Sequence, residues 1–321
     1  MPEQAEVIEY FERQAGVMRT ETVMGDASIR WAYLSLSGRC IAPALFGSSL
    51  FSRLLGWYFN QPMSRKKIAP TIRDLGIDAD EFLRSPEEFT SFNDFFTRRL
   101  HPEARPFDDD PQAVLSPADG RLLVYPAVDQ ATALRVKGVE APLHELFGRS
   151  LEQFDGGSIA VVRLCPADYH RYHFPCAATI ADVVDVRGRF DSVNPVALMA
   201  RPKIFCRNKR RWTLMISPVF GEIIFMEVGA FGVAGIHDTY SSSDARNAGG
   251  HAQSAPEQAV DRMQEKGYFD FGGSTIVMVY QKDAIHFDED IMKHSANGIE
   301  TLVRVGETIG RASSQQIHRK T

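Results

Sequence analysis

Residues 265–280 read EKGYFDFGGSTIVMVY, and the parsing of this stretch decides the rest of the chain. Ser274 to Tyr280 is an unbroken run of apolar and β-branched residues bounded upstream by two glycines, which is the pattern of a buried strand. Gly272 and Gly273 permit backbone geometry closed to other residues. Two readings of the pair stand side by side. One is a tight turn or bulge at the mouth of a strand. The other is a scissile site, in which the bare Gly273 exposes its carbonyl to the Ser274 hydroxyl. GGST by itself does not separate them.

Outward from this run, short apolar segments with period-two alternation recur from about residue 112. They are GRLLVYPAV (120–128), GSIAVVRLC (157–165), ADVVDVRG (181–188), RWTLMIS (211–217) and GEIIFMEVGAF (221–231), each rich in β-branched residues or bounded by Gly or Pro. They predict a β-rich domain over residues 101–321. Residues 241–264, SSSDARNAGGHAQSAPEQAVDRMQ, are small and polar without apolar periodicity and read as an exposed loop.

Residues 1–100 read as helical. Ser85-Pro86-Glu87-Glu88 has the form of a capping box with Pro at the first helical position, opening a helix into FTSFNDFFTRRL. Ser64 reads as a second N-cap, with Pro70 limiting or kinking the helix that follows. Ile41 to Phe59 is the most apolar window, yet it contains Arg53, three serines, two glycines and Pro43. A packed core helix, an interfacial helix and a membrane span all remain open for it. Trp57-Tyr58-Phe59 followed by Arg65-Lys66-Lys67 suits a membrane surface, where aromatic rings sit at headgroup level and cations meet anionic lipid. A second basic cluster, Arg207 to Arg211, reads either as a lipid contact or as a solvated charged face. The fold class expected is α+β, an N-terminal helical membrane-associating region followed by a β-rich catalytic domain.

The 321 residues are 44% hydrophobic and carry a net charge of −5, which gives a nucleic-acid partner no electrostatic support. Cys40, Cys165, Cys176 and Cys206 form no CxxC pair and read as reduced thiols of a cytosolic compartment. The acidic N-terminus, MPEQAEVIEYFERQ, has neither the basic nor the apolar region of a signal peptide.

Two further segments carry chemistry. LSPADG (115–120) opens a turn that presents Asp119 at a strand entrance; alone, such an aspartate reads as one bonding its own backbone. CPADYHRYHFPC (165–176) holds two histidines three apart. They would face opposite sides of a strand but share one side of a helical turn, and a turn started at Pro166–Asp168 would direct His170 and His173 into a common pocket. Packed or surface histidines are the plainer reading. Zinc is a third, although HxxHxxC is not a usual structural zinc spacing.

Taken together, the three segments resemble the phosphatidylserine decarboxylase family of pyruvoyl-dependent proenzymes, in the group whose cleavage motif is GGST. The similarity runs from about Leu45 onward. It includes SFNDFFTRRL (91–100) with ARP (104–106), VNP (193–195), EVGA (227–230), and FDED with GIETLVRVGETIG (287–310). The resemblance implies that Asp119, His173 and Ser274 form a charge relay for self-cleavage between Gly273 and Ser274. It implies that Ser274 becomes an N-terminal pyruvoyl group, which forms a Schiff base with phosphatidylserine and decarboxylates it to phosphatidylethanolamine. His170 matches the histidine associated with decarboxylation, and its role is read as the acid that reprotonates Cα. No metal and no separate cofactor are expected, and no lysine is identified as a pyridoxal anchor. The expected partners are phosphatidylserine in an anionic membrane, the chain's own two fragments as a heterodimer, and a second copy as a homodimer. The expected location is peripheral, on the cytoplasmic side of the cell membrane. One departure from the family pattern is the length of the 241–264 insertion. Two rival functions are a serine hydrolase built on the same three residues, which lacks a GxSxG elbow, and a non-enzymatic membrane or zinc module.

Overall fold

The computed structural model describes residues 9–21, 49–128, 133–136, 139–148, 150–188, 204–229, 235–240, 258–272 and 274–313. Each apolar run becomes a strand. In chain order the strands are β1 (Glu9–Glu12), β2 (Val17–Thr20), β3 (Ala113–Leu115), β4 (Gly120–Val128), β5 (Ala133–Val136), β6 (Val139–Pro142), β7 (Gly157–Leu164), β8 (Arg171–His173) and β9 (Ala178–Val186). They continue with β10 (Arg210–Ser217), β11 (Gly221–Gly229), β12 (Ile236–Asp238), β13 (Gln258–Val260), β14 (Glu265–Phe269), β15 (Ser274–Tyr280), β16 (Ile285–Phe287), β17 (Glu300–Val303) and β18 (Thr308–Ala312). The helices are α1 (Ser49–Phe59), α2 (Ile68–Leu75), α3 (Phe92–Phe96), α4 (Leu143–Phe147), α5 (Ile204–Arg207) and α6 (Glu289–Ala296). The architecture is α+β.

Ten strands form one sheet in the order β13-β9-β10-β11-β15-β7-β4-β17-β1-β2. A three-stranded sheet, β12-β14-β8, packs over one face of it through Tyr172 and Phe269. The sheet is covered on both faces around β15, which explains why that strand is apolar throughout instead of alternating with polar residues. Ile276, Met278 and Tyr280 enter one buried cluster, while Val277 and Val279 enter the other. Each such side chain contributes roughly 1.5–3 kcal/mol by leaving water.

The helical layer has its own core of phenylalanines, with Phe59, Phe82, Phe89, Phe92, Phe95 and Phe96 packed around Ile68. Outside that core, Leu54, Trp57 and Met63 are exposed, beside exposed Arg65, Lys66 and Lys67. No helix among the described residues is long and apolar enough to cross a membrane. Residues 41–48 of the apolar window lie outside the described residues.

Several expectations are corrected. The first hundred residues are not helical throughout: residues 9–20 form a hairpin that extends the large sheet, with β1 parallel to β17. Its anchor is Arg13, which donates to Asp290, Asp288 and the Thr308 carbonyl. Glu88 does accept from the Ser85 amide at 2.7 Å, but the motif opens only a 3-10 turn, Pro86–Glu88. The helix that follows, α3, is capped by Ser91, whose hydroxyl accepts from the Asp94 amide. Ser64 is buried inside the 3-10 turn Pro62–Lys67, accepting from the Phe92 amide at 2.9 Å, and is no N-cap. The 241–264 segment ends in a strand, because Gln258–Val260 pairs with β9; residues 241–257 lie outside the described residues.

The second basic cluster is divided: Arg207 is exposed, Lys209 and Arg211 are half-buried, and Arg210 is internal. Arg210 is buried and donates to the carbonyls of Leu146, Glu145, Cys206 and Asn208. Arg211 pairs with Asp185 and Asp238. These two arginines satisfy backbone carbonyls and carboxylates of the fold and are not a solvated or lipid-facing patch.

Candidate active site

The strand order brings distant segments to one end of the sheet. Ser274, the first residue of β15, lies between Gly229, the last of β11, and Leu164, the last of β7. Asp119 directly precedes β4, the next strand beyond β7. With neighbouring strands about 4.8 Å apart, β15 and β4 are separated by roughly 10 Å. The overlying strand β8 reaches this end as well: the His173 amide donates to the Pro117 carbonyl at 2.8 Å, within the LSPADG turn. β8 also pairs with β14, where His173 lies opposite Glu265. So one histidine is tied both to the aspartate's turn and to the strand that leads into Ser274.

The Ser274 side chain is completely buried, and its Oγ has no hydrogen-bond partner among the described residues. Thr275 Oγ1 and Tyr280 OH of the same strand are orphaned too, so what distinguishes Ser274 is its place: the first residue of β15, directly after the glycine pair and at the end of the sheet reached by the Asp119 turn and β8. Gly273 lies outside the described residues. Gly272, immediately before it, has φ +148, a conformation that side-chain-bearing residues avoid.

His173 is largely buried beside Tyr169, with ring centroids 6.1 Å apart, and its buried Nδ1 has no hydrogen-bond partner among the described residues. Burial pulls the imidazole down from 6.5 to about 4, against the opposing pull of the Glu265 and Asp119 carboxylates. At neutral pH it is therefore uncharged and able to accept a proton.

The structure places Asp119 close enough to His173 for this electrostatic effect, but does not join the two by a hydrogen bond. The Asp119 carboxylate instead accepts from Arg105 Nε and Nη2 at 2.9 and 2.6 Å, and from the Val305 amide at 2.8 Å. Arg105 reaches on to Glu81 at 3.0 Å.

His170 and His173 do not share a helical turn, as the spacing suggested. The turn is confined to Cys165–Asp168, where the Asp168 amide donates to the Cys165 carbonyl, and the chain then extends into β8. His170 turns inward, fully buried, with its ring 3.8 Å from that of Phe96. Its Nδ1 donates to the Asp168 carbonyl at 2.9 Å, since a carbonyl can only accept, and Nε2 has no hydrogen-bond partner among the described residues. Burial lowers its pKa to about 3, helped by Arg98. Arg98 donates to the same Asp168 carbonyl at 3.1 Å and to that of Ala167 at 2.9 Å; burial brings its guanidinium down to about 10.

Arg105, Arg98 and Asn93 escaped the residue-by-residue reading. The signal for them lay inside TRRL, ARP and SFNDFF, which were quoted as motifs without a role. Their partners are far away in sequence, so the spacing alone could not assign them.

Comparison with known proteins bears on the family of the chain. The family model described as Phosphatidylserine decarboxylase matches residues 92–311. A phosphatidylserine decarboxylase proenzyme of Clostridium perfringens (strain SM101 / Type A) is 39% identical over 306 residues, covering 95% of this chain and 99% of that protein. Proteins of the same name from Clostridium botulinum (strain 657 / Type Ba4) and Clostridium novyi (strain NT) are each 38% identical over the same shares. With most of its length matched in this way, the chain belongs to the phosphatidylserine decarboxylase family, an enzyme family of carboxy-lyases.

Proposed function

We propose that this protein cuts its own Gly273–Ser274 bond, converts Ser274 into a pyruvoyl group, and then decarboxylates phosphatidylserine to phosphatidylethanolamine. The observation that carries the reading is the buried, unpartnered Ser274 hydroxyl at the mouth of a central strand, at the same end of the sheet as an uncharged histidine. The names of the relatives, which are proenzymes, support it.

In self-cleavage His173 accepts the Ser274 Oγ proton, and the oxygen attacks the Gly273 carbonyl carbon. The C–N bond breaks, its nitrogen takes a proton, and an ester links the two halves. Loss of the Ser274 Cα proton then forms the Cα=Cβ double bond and breaks the Cβ–Oγ bond, freeing residues 1–273 as a carboxylate. Hydrolysis of the dehydroalanine left behind releases ammonia and leaves the ketone. Asp119, fixed by Arg105 and Val305, supplies the negative charge that stabilises His173 once it is protonated.

The pyruvoyl ketone supplies an electron sink for the substrate amine's Cα as carbon dioxide leaves. Ser274 suits that group: it is buried, and its Oγ has no competing hydrogen bond among the described residues. His170 then moves the proton. With Nδ1 donating to a carbonyl, Nε2 must first gain a proton before giving one to Cα, so it acts as a carrier instead of a resident acid. A cleft of about 410 Å³ lined by Arg99, Leu100, Tyr169, Thr239, Gln264 and Glu265 opens beside the Tyr169–His173 pair and gives the headgroup a route in. Leu54, Trp57 and Met63, flanked by Arg65–Lys67, are the surface we assign to an anionic bilayer.

A serine hydrolase built on the same three residues would instead keep the chain intact with a free Ser274 hydroxyl. The test is a denaturing gel with intact mass measurement. The expected products are residues 1–273 and a fragment starting at position 274 with a blocked N-terminus. An active preparation holding only the intact chain would refute the reading, and Ser274→Ala should stay uncut.

A further inference from the structure

The peptide entering the scissile region is held by a hydrogen-bonded chain of side chains that the relay chemistry does not use. Asn93, on α3, accepts from the Phe271 amide with Oδ1 at 2.8 Å. Its Nδ2 donates to Asp270 Oδ1 at 3.0 Å and to Asn60 Oδ1 at 3.1 Å. The second oxygen of Asp270, Oδ2, accepts from His237 Nε2 at 2.8 Å, and the Asp270 amide donates to the Gly235 carbonyl at 3.2 Å. His237 is stacked on Tyr268 with centroids 4.7 Å apart. Gly235 lies so close that a Cβ there would stand 2.4 Å from His237 Nε2.

Three elements thus converge on residues 270 and 271: α3, the end of α1 through Asn60, and β12 through His237. The Phe271 ring completes the hold, packed at 4.1 Å from Phe59 and about 5 Å from Phe92 and Phe96. This matters because glycine has no Cβ to restrict its backbone, and two glycines in succession separate Phe271 from Ser274. Self-cleavage needs the Gly273 carbonyl held within reach of Ser274 Oγ, and a small misplacement costs a large factor in rate. The anchor two residues upstream removes most of this freedom.

We infer that Asn93, Asp270 and His237 are positioning residues for self-cleavage, clamping the backbone just upstream of the scissile glycine. The inference rests on the self-cleavage reading above. The clamp works through the order amide–carboxylate–imidazole, in which each group has a donor facing an acceptor.

An exchange experiment tests this. Asn93→Asp alone sets two carboxylates face to face, whereas Asn93→Asp with Asp270→Asn restores one donor and one acceptor at the same two positions. Each full-length chain is made by cell-free synthesis, and the fragment starting at Ser274 is followed over time on denaturing gels. Asn93→Asp is expected to split at least about tenfold more slowly than wild type, and the exchanged pair within about threefold of it. A merely structural role for Asn93 would not predict rescue by a second substitution. Asn93→Asp splitting at the wild-type rate, or the exchanged pair staying as slow as the single variant, overturns the clamp. If Asn93→Asp does not fold, the half-exposed His237→Ala carries the test: a slowing of about threefold supports the clamp, and an unchanged rate overturns it. Wild type yielding no fragment at all would instead sink the self-cleavage reading, so the two failures are distinct.

Discussion

Arg105 and Asp119 form a two-pronged ion pair, in which the guanidinium donates to both carboxylate oxygens and leaves the neighbouring His173 without a hydrogen bond to Asp119. Arg105 therefore fixes where the relay's negative charge sits. Arg105→Ala leaves a buried carboxylate without its cation, and the expected cost is about 3 kcal/mol of stability, read by urea unfolding of the uncut Ser274→Ala background. In the Ser274 chain the same change should slow splitting by about tenfold or more. Arg105→Lys, which has no fork, should recover only part of either loss.

Acid should act on the two histidines. Both are pulled down by burial, His173 to about 4 and His170 to about 3, against 6.5 for an unburied imidazole. Between those values the unfolded chain binds protons that the folded chain refuses. The stability that these residues allow is thus complete above pH 6.5 and falls progressively as the pH drops toward 4 and 3. The rate of self-cleavage should be level around neutrality and fall only near pH 4, where His173 itself takes up a proton. A cleavage profile with its midpoint near 6.5 would contradict the buried, uncharged His173.

His170 and His173 should separate by task. His170→Ala is expected to split normally yet lose decarboxylation by about a hundredfold or more, the usual scale for removing a proton-transfer group. His173→Ala should remain uncut or split very slowly. Gel and carbon dioxide release, measured on the same samples, decide it.

Lys266 and Glu227 are both fully buried and paired with each other, and Lys266 is ringed by Tyr172, Phe174, Phe225 and Tyr240. Lys266→Met or Glu227→Leu alone should cost about 3–5 kcal/mol, because each strands the other charge. Both together should cost much less. Denaturation of the four proteins closes the cycle, and additive losses would show that the ion pair is not the unit.

Trp57 and Leu54 are exposed apolar residues of α1. Replacing both by Ser should reduce co-sedimentation with vesicles containing anionic lipid by about tenfold without changing the unfolding midpoint. Wild-type binding should also weaken as salt is raised, since Arg65–Lys67 act through screened attraction. Equal binding to neutral and anionic vesicles would remove the cationic cluster from the account.

The strands were legible because burial on both faces leaves an apolar run that no helix period explains, as in Ser274–Tyr280. The helical reading of the first hundred residues failed at the hairpin, where EYFE and VMRT are too short for period to speak and pairing with β17, nearly three hundred residues away, decides. Ser64 misled because its side chain serves a distant amide, that of Phe92, instead of its own helix. Asp119, His170, His173 and Ser274 are candidates that their motifs and the family resemblance offer together. That Arg105 holds Asp119, and that His170 donates through Nδ1, depends on partners supplied by the fold. Within the Arg207–Arg211 cluster, Arg207 is exposed while Arg210 is enclosed by carbonyls, a division that charge in a sequence does not reveal.

All seven residues of β15 are laddered on both sides, to β11 and to β7, and β17, from the same C-terminal stretch, lies between β4 and β1. A cut before Ser274 therefore releases no part of the molecule: the short piece is woven through the long one. Such a protein can be assembled only once, as a continuous chain. After unfolding, its two pieces would have to find each other by diffusion and rethread a central strand. The working lifetime of the mature form is then governed by how slowly it opens, not by how favourably it would refold.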